Sequence, residues 1–171
     1  MKLAIILLLI LGFAYQLALN IVQYRSAQNP IPANVADVYD AETYGAWRRY
    51  SAEHCRLDIF STVLSFLISL ALLCTNAYAA FSSLFGSHPY AQLLAVVILE
   101  TVVGTVVSVG ISYYKTMVIE ARYGFNRSTM KTFVTDQLRN LLLELILNTL
   151  LMSLLLVIHR ALGDWMILLF A

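Results

Sequence analysis

The sequence predicts an all-α, polytopic membrane domain with four complete transmembrane helices and the start of a fifth. Three observations lead there. Hydrophobic residues make up 60% of the 171-residue chain and charged residues only 12%, with a mean hydropathy of +0.77. A soluble domain of this size has too little polar surface to cover so much apolar area. Second, the apolar residues collect into runs long enough to span a bilayer, which takes ~20 residues at ~1.5 Å rise each. Third, basic residues concentrate in alternate connections between those runs, as in membrane proteins with a fixed orientation.

The first run, Leu3 to Val22, follows Lys2. It is longer than the apolar core of a usual signal peptide, so a retained span is favoured over a cleaved leader. The second run extends from Ile59 to about Phe85 and contains Asn76. The third, Leu93 to Tyr114, contains Glu100, and the fourth, Leu138 to Ile158, contains Glu144. The last run, Trp165 to Ala171, is too short to cross and reads as the beginning of a fifth span. No repeat or low-complexity stretch divides the chain, so residues 1–171 read as a single membrane domain.

Arg25, Arg48, Arg49 and Arg56 lie in the first connection, and Lys115, Arg122, Arg127, Lys131 and Arg139 in or beside the third. Lys2 and Arg160 lie on the other side. Nine against two predicts that loops 23–58 and 115–137 are cytoplasmic and the N-terminus is outside. The net charge of +1 gives no reason to expect a nucleic-acid partner. The bilayer is the partner that composition demands.

The first connection is structured. The stretch "NPIP", Asn29 to Pro32, enters it in an extended conformation. Asp40 is placed to cap a helix. Tyr44, Trp47, Ser51, His54 and Asp58 follow at spacings of three and four, which puts Tyr44 and Trp47 on one helix face. This predicts a short interfacial helix running into the second span, with a water-facing loop as the alternative.

The third connection, "VIEARYGFNRST" from Val118 to Thr129, reads as a corner between two helices. Gly124 can take the left-handed conformation that ends a helix, Phe125 can fold back on the last turn, and Asn126 or Ser128 can cap the next helix. Met130, Phe133, Val134, Leu138, Leu141 and Leu142 continue with helical spacing. Glu120 lies near a helix C-terminus, where the dipole disfavours it, so Arg122, Arg127 or Lys131 is expected to offset it. Asn126 to Ser128 matches a glycosylation sequon, which a cytoplasmic position would make accidental.

Two polar series run through the apolar helices. Glu100, Gly104, Ser108 and Ser112 recur every four residues, as do Asp136, Asn140, Glu144 and Asn148. An ionised side chain at the bilayer centre costs ~2.5 kcal/mol or more, so these faces must meet other helices or water. The wall of a hydrated interior and a hydrogen-bonded helix bundle both satisfy that requirement.

The motif "VIEARYGFNRSTMKTFVTDQLRNLLL", Val118 to Leu143, resembles the signature of the CAAX prenyl protease type 1 family of membrane-embedded zinc metallopeptidases. There an Ile-Glu-Glu stretch precedes Gly-Phe-Asn, a Thr, a Phe and an Asp, matched here by Glu120, Gly124, Phe125, Asn126, Thr129 and Asp136. "NPIPANVADVYDAETYGAWRRY" resembles that family's first cytoplasmic loop, and "GDWMILLFA" the start of its fifth span. Ala121 departs from the pattern, where a second acid is common, and so does "SVGIS", where a proline often kinks the helix.

The resemblance covers nearly the whole chain and implies the N-terminal membrane domain of such an enzyme. It further implies seven helices around an aqueous chamber, and a zinc site built from an HExxH motif and a distant glutamate C-terminal to the matched region. The implied substrates are prenylated proteins cut near their C-termini, or membrane-associated peptides.

None of the three histidines, His54, His88 and His159, is followed by Glu, and none pairs with another at i, i+4. A hydrolytic zinc site needs three protein ligands and a general base, so no catalytic or metal residue is assigned and the chain is expected to be inactive alone. Zinc is expected only with a catalytic half. Cys55 and Cys74 read as ordinary thiols. Two partners are open: that catalytic half, or another membrane protein that the chain binds or regulates without catalysis. A small transporter using Glu100 and Glu144 is a third class.

Overall fold

The computed structural model describes residues 2–31 and 40–163. Its elements are α1 (Lys2–Ser26), α2 (Ala41–Cys74), α3 (Ala77–Ser83), α4 (Pro89–Tyr113), a π-helical stretch (Tyr114–Glu120) and α5 (Met130–Leu162). Among the described residues there are four helices long and apolar enough to cross a membrane: α1, α2, α4 with its π-helical continuation, and α5. The expected start of a fifth span at Trp165 lies outside the described residues, as do residues 32–39 of the first connection. The chain divides into two compact units, one of Met1–Thr75 with Val107–Thr129, the other of Asn76–Val106 with Met130–Ala171.

In the first unit, α1 and α2 form an antiparallel hairpin. Lys2 Nζ at the start of α1 donates to the carbonyl of Cys74 at the end of α2, at 3.3 Å. Midway, Phe13 and Phe66 stack with centroids 4.1 Å apart. At the other end the Arg56 guanidinium donates to the Tyr24 hydroxyl at 3.2 Å and lies over its ring. Asn20 is the buried polar group of α1. Its Nδ2 donates to Thr62 Oγ1 at 2.8 Å and to the Asp58 carbonyl at 3.5 Å, and its Oδ1 accepts from Gln16 at 3.4 Å. Apolar contact gains little between helices already in lipid, so such packing and bonds carry the association.

Asp40 caps α2 as expected, accepting from the Thr43 amide at 2.7 Å and from its hydroxyl at 2.7 Å. These donors favour the carboxylate and hold its pKa below the ordinary value. The interfacial helix and second span are one continuous rod of 34 residues. At ~1.5 Å per residue it is ~50 Å long, well beyond a ~30 Å hydrocarbon core, so its N-terminal turns project past the apolar layer.

The rod stops earlier than the apolar run does. Thr75 Oγ1 donates back to the Ala71 carbonyl at 2.7 Å, and Asn76 takes φ +56°, a left-handed value that Asn tolerates better than most residues. Ile59 to Phe85 is therefore a helix end, a break and the short α3, not one span.

In the second unit, Pro89 opens α4, where its missing amide costs nothing. The Gln92 side chain donates to the Gly86 carbonyl at 2.8 Å and closes the preceding turn. The Tyr78 hydroxyl on α3 donates to the Glu100 carboxylate on α4. Helix α5 ends with His159 and Arg160, cations that suit the dipole there, and the Arg160 guanidinium lies 5.4 Å from the Tyr90 ring centre. Gly163 follows at φ +56°.

Candidate functional site: the corner and the polar helix face

The corner begins where α4 widens into seven residues of π-helix, Tyr114–Glu120. Such wide turns in a long helix occur often at functional sites. The chain then closes as a glycine-terminated helix end. Phe125 N–H donates to the Glu120 carbonyl at 2.9 Å and Gly124 N–H to the Ala121 carbonyl at 3.2 Å. This pair of bonds requires a left-handed residue, and Gly124 supplies it at φ +76°. A Cβ at Gly124 would meet nothing within 4 Å, so only backbone conformation demands glycine there. Asn126 Oδ1 accepts from Ser128 N–H at 2.7 Å, and Asn126 Nδ2 donates to Met117 Sδ at 3.4 Å. Its amide thus holds the turn to the π-helical stretch.

The projecting part of α2 fastens this corner. Arg122 Nη1 donates to both oxygens of Glu53, at 3.0 Å and 2.9 Å. The Tyr123 hydroxyl donates to Glu53 Oε1 at 3.1 Å. Removal from water and the Glu53 carboxylate both push the Tyr123 pKa upward. The Tyr50 ring sits 4.3 Å from His54, 5.3 Å from Tyr123 and 5.0 Å from Phe125, centroid to centroid, the last two edge-on. The ion pair is half exposed, with side-chain exposures of 54% and 30%, and such pairs contribute at most ~1 kcal/mol. Each aromatic pair contributes ~0.5–1.5 kcal/mol beyond its buried area. The rings around Tyr50 therefore do most of the fastening. A mainly apolar groove of about 510 Å³ runs beside them, lined by Thr43, Tyr44, Ala46, Trp47, Tyr123 and Phe125.

The sequence reading is correct for the Gly124 cap and for the shared face of Tyr44 and Trp47, whose rings lie 5.3 Å apart. Three side chains take partners it did not name. Arg122 turns to Glu53, not to Glu120. Phe125 lays its ring on Tyr50 of α2. Asn126 closes a turn onto Ser128. Glu120, Gly124, Phe125 and Asn126 come together at the corner. Thr129 directly precedes α5, and Asp136 stands on α5 itself. Glu53, Tyr50 and Tyr123 were missed. Their signal was present in Tyr50, Glu53 and His54, which share one helix face at spacings of three and four.

On α5, Asp136, Asn140 and Glu144 are exposed and Asn148 is half-buried. Asp136 pairs loosely with Arg139 at 3.8 Å. Glu100, the acid of α4, is held by Tyr78. Among the described residues no three His, Cys, Asp or Glu side chains converge where they could hold a metal ion. The described residues therefore do not fit a zinc centre.

Four long apolar helices joined by capped, charged connections define a multi-pass integral membrane protein. Residues 20–171 match the family model described as CAAX prenyl protease N-terminal, five membrane helices, and the chain belongs to that family. It is 27% identical over 145 residues to CAAX prenyl protease 1 of Saccharomyces cerevisiae, covering 77% of this chain and 32% of that protein. Against the CAAX prenyl protease 1 homolog of Taenia solium it is 26% identical over 183 residues, covering 95% and 39%. The crystal structure of S. mikatae Ste24p superposes with a TM-score of 0.78 at 26% identity, covering 95% of this chain and 40% of that one. The chain thus spans between about a third and two fifths of the length of these relatives.

Proposed function

We propose that this domain forms part of the wall of an intramembrane chamber in a CAAX prenyl protease-type zinc metalloendopeptidase. In this reading the catalytic centre is supplied by residues outside this sequence. The observation that carries it is the row Asp136, Asn140 and Glu144, exposed at four-residue spacing on α5, the last of them within its apolar run. Acyl chains are a costly neighbour for such a face, at ~2.5 kcal/mol or more for one ionised group near the bilayer centre. Water in a chamber, or polar groups of a catalytic half, would remove that cost. The corner would serve as the docking edge on the cytoplasmic side, with Gly124 setting its turn and the Tyr50 cluster fixing it to α2. The class of substrate would be a membrane-associated polypeptide, a prenylated CAAX protein where the cell makes one.

The test has two arms. In a Cys74→Ser background, Asn140→Cys and Glu144→Cys should react with a membrane-impermeant thiol reagent, while Leu142→Cys and Ile146→Cys should not. Equal protection of all four would remove the hydrated wall. Co-expression with a polypeptide carrying the HExxH region of a family member should then yield zinc-dependent cleavage of a prenylated CAAX peptide. Stable association without cleavage would favour a non-enzymatic binding role.

A further inference from the structure

Between the end of α1 and the projecting turns of α2 lies a polar pocket of about 410 Å³, lined among others by Tyr24, Gln28, Gly45, Arg48, Arg49 and Arg56. We propose that it binds the headgroup phosphate of an anionic glycerophospholipid. Three features of the pocket point to that ligand.

The first is charge. Glu53 is the acid in the lining, and its carboxylate is already taken by Arg122 and Tyr123. Among the described lining residues three arginines stand against one carboxylate, which also acts on Arg56, so the lining is positive in balance. Arg56 uses one donor on Tyr24 and retains others, since a guanidinium carries five N–H groups. Arg48 Nε is enclosed and has no hydrogen-bond partner. Arginine is the side chain best suited to grip a phosphate through paired donors.

The second is depth. The apolar run of α1 ends at Val22 and that of α2 begins at Ile59. Tyr24 and Arg56 lie two and three residues beyond those limits, which is ~3–5 Å along a helix. Each headgroup layer is ~5–7 Å thick, so Arg56 stands at phosphate level. Arg49 lies two turns farther out on the same face, on the water side of the headgroup layer, so Arg56 is the deepest of the three guanidinium groups and Arg48 and Arg49 face the headgroup from outside.

The third is room. Gly45, Arg49, Ala52 and Arg56 share one side of α2. The two small residues line the floor of the pocket beneath the guanidinium groups, where a Cβ at Gly45 would come into ordinary contact with Arg49 Nη1 at 3.8 Å. Basic pockets at the ends of membrane helices are a recurrent way to hold anionic lipid.

The experiment uses the full chain in mild detergent, with native mass spectrometry of bound phosphatidylglycerol and, separately, phosphatidylcholine. Phosphatidylglycerol should be retained at about a hundredfold lower concentration, the combined effect of three arginines each contributing ~1 kcal/mol at an anionic lipid. Arg49→Gln with Arg56→Gln should reduce that preference to about fivefold, what Arg48 alone supplies. Arg49→Lys with Arg56→Lys should keep most of it, and Arg139→Gln on α5 should leave it unchanged. The lysine pair guards against misfolding, because it keeps the charge where the glutamine pair removes it. Equal retention of the two lipids, or an unaltered preference in the glutamine pair, would overturn the proposal. Displacement by soluble glycerol phosphate at equal concentration would show a site for free phosphate and overturn the lipid assignment. Displacement by an acidic peptide alone would make it a protein-docking site.

Discussion

Asn20 on α1 and Glu53 on α2 find partners inside their own unit, whereas α5 carries its polar row on an exposed face. Asn20 is buried and bonded by Gln16, Asp58 and Thr62. Glu53 takes Arg122 and Tyr123. Asn140 and Glu144 lie open on α5. In lipid an unpartnered polar group costs far more than a partnered one returns. The first region is therefore equipped to hold its own fold, and the second is equipped to meet something else.

The contrast is broken most directly on α5. Glu144→Leu should improve membrane insertion of α5 by ~2.5–3 kcal/mol, read in a glycosylation-reporter insertion assay. If insertion is unchanged, Glu144 is already satisfied and the open-face reading fails.

On the other side, Tyr50→Ala removes the ring shared by His54, Tyr123 and Phe125. It should lower stability in detergent by ~2 kcal/mol, since three aromatic contacts go at once. A loss no larger than that of Glu53→Gln would mean the ion pair, not the rings, fastens the corner.

Asn20→Ala should cost less, ~1 kcal/mol, because Thr62 keeps its own bond to the Asp58 carbonyl at 2.8 Å. The α1–α2 association should weaken while α5 insertion stays the same.

The smallest effect is the most pH-sensitive. The pKa of Tyr123 is raised in the folded state, so its contribution is complete below the ordinary tyrosine value of ~10 and declines as pH rises through the raised value. Tyr123→Phe should cost at most ~1 kcal/mol at neutral pH, discounted for partial exposure. The gap to the unaltered chain should narrow above pH ~10. A gap that widens there would mean the hydroxyl bonds better as phenolate, against the Glu53 geometry.

Local chemistry made much of this legible in one dimension. Apolar runs mark spans because a bilayer has a fixed thickness. Asp40 marks a cap because its carboxylate reaches the free amides of the next turn. Gly124 marks a helix end because φ +76° suits a residue without Cβ. The HExxH pattern is local in the same way, since it places two ligands one helical turn apart.

What tertiary structure decided was the choice among partners. Arg122 had Glu120 two residues away and paired with Glu53, 69 residues distant in sequence. Tyr50 carries no motif, yet three rings meet on it. Spans, caps and turns depend on residues within a few positions of one another, so the sequence by itself determined them. Which cation meets which anion, and which ring lies on which, depends on distances that exist only after the helices pack.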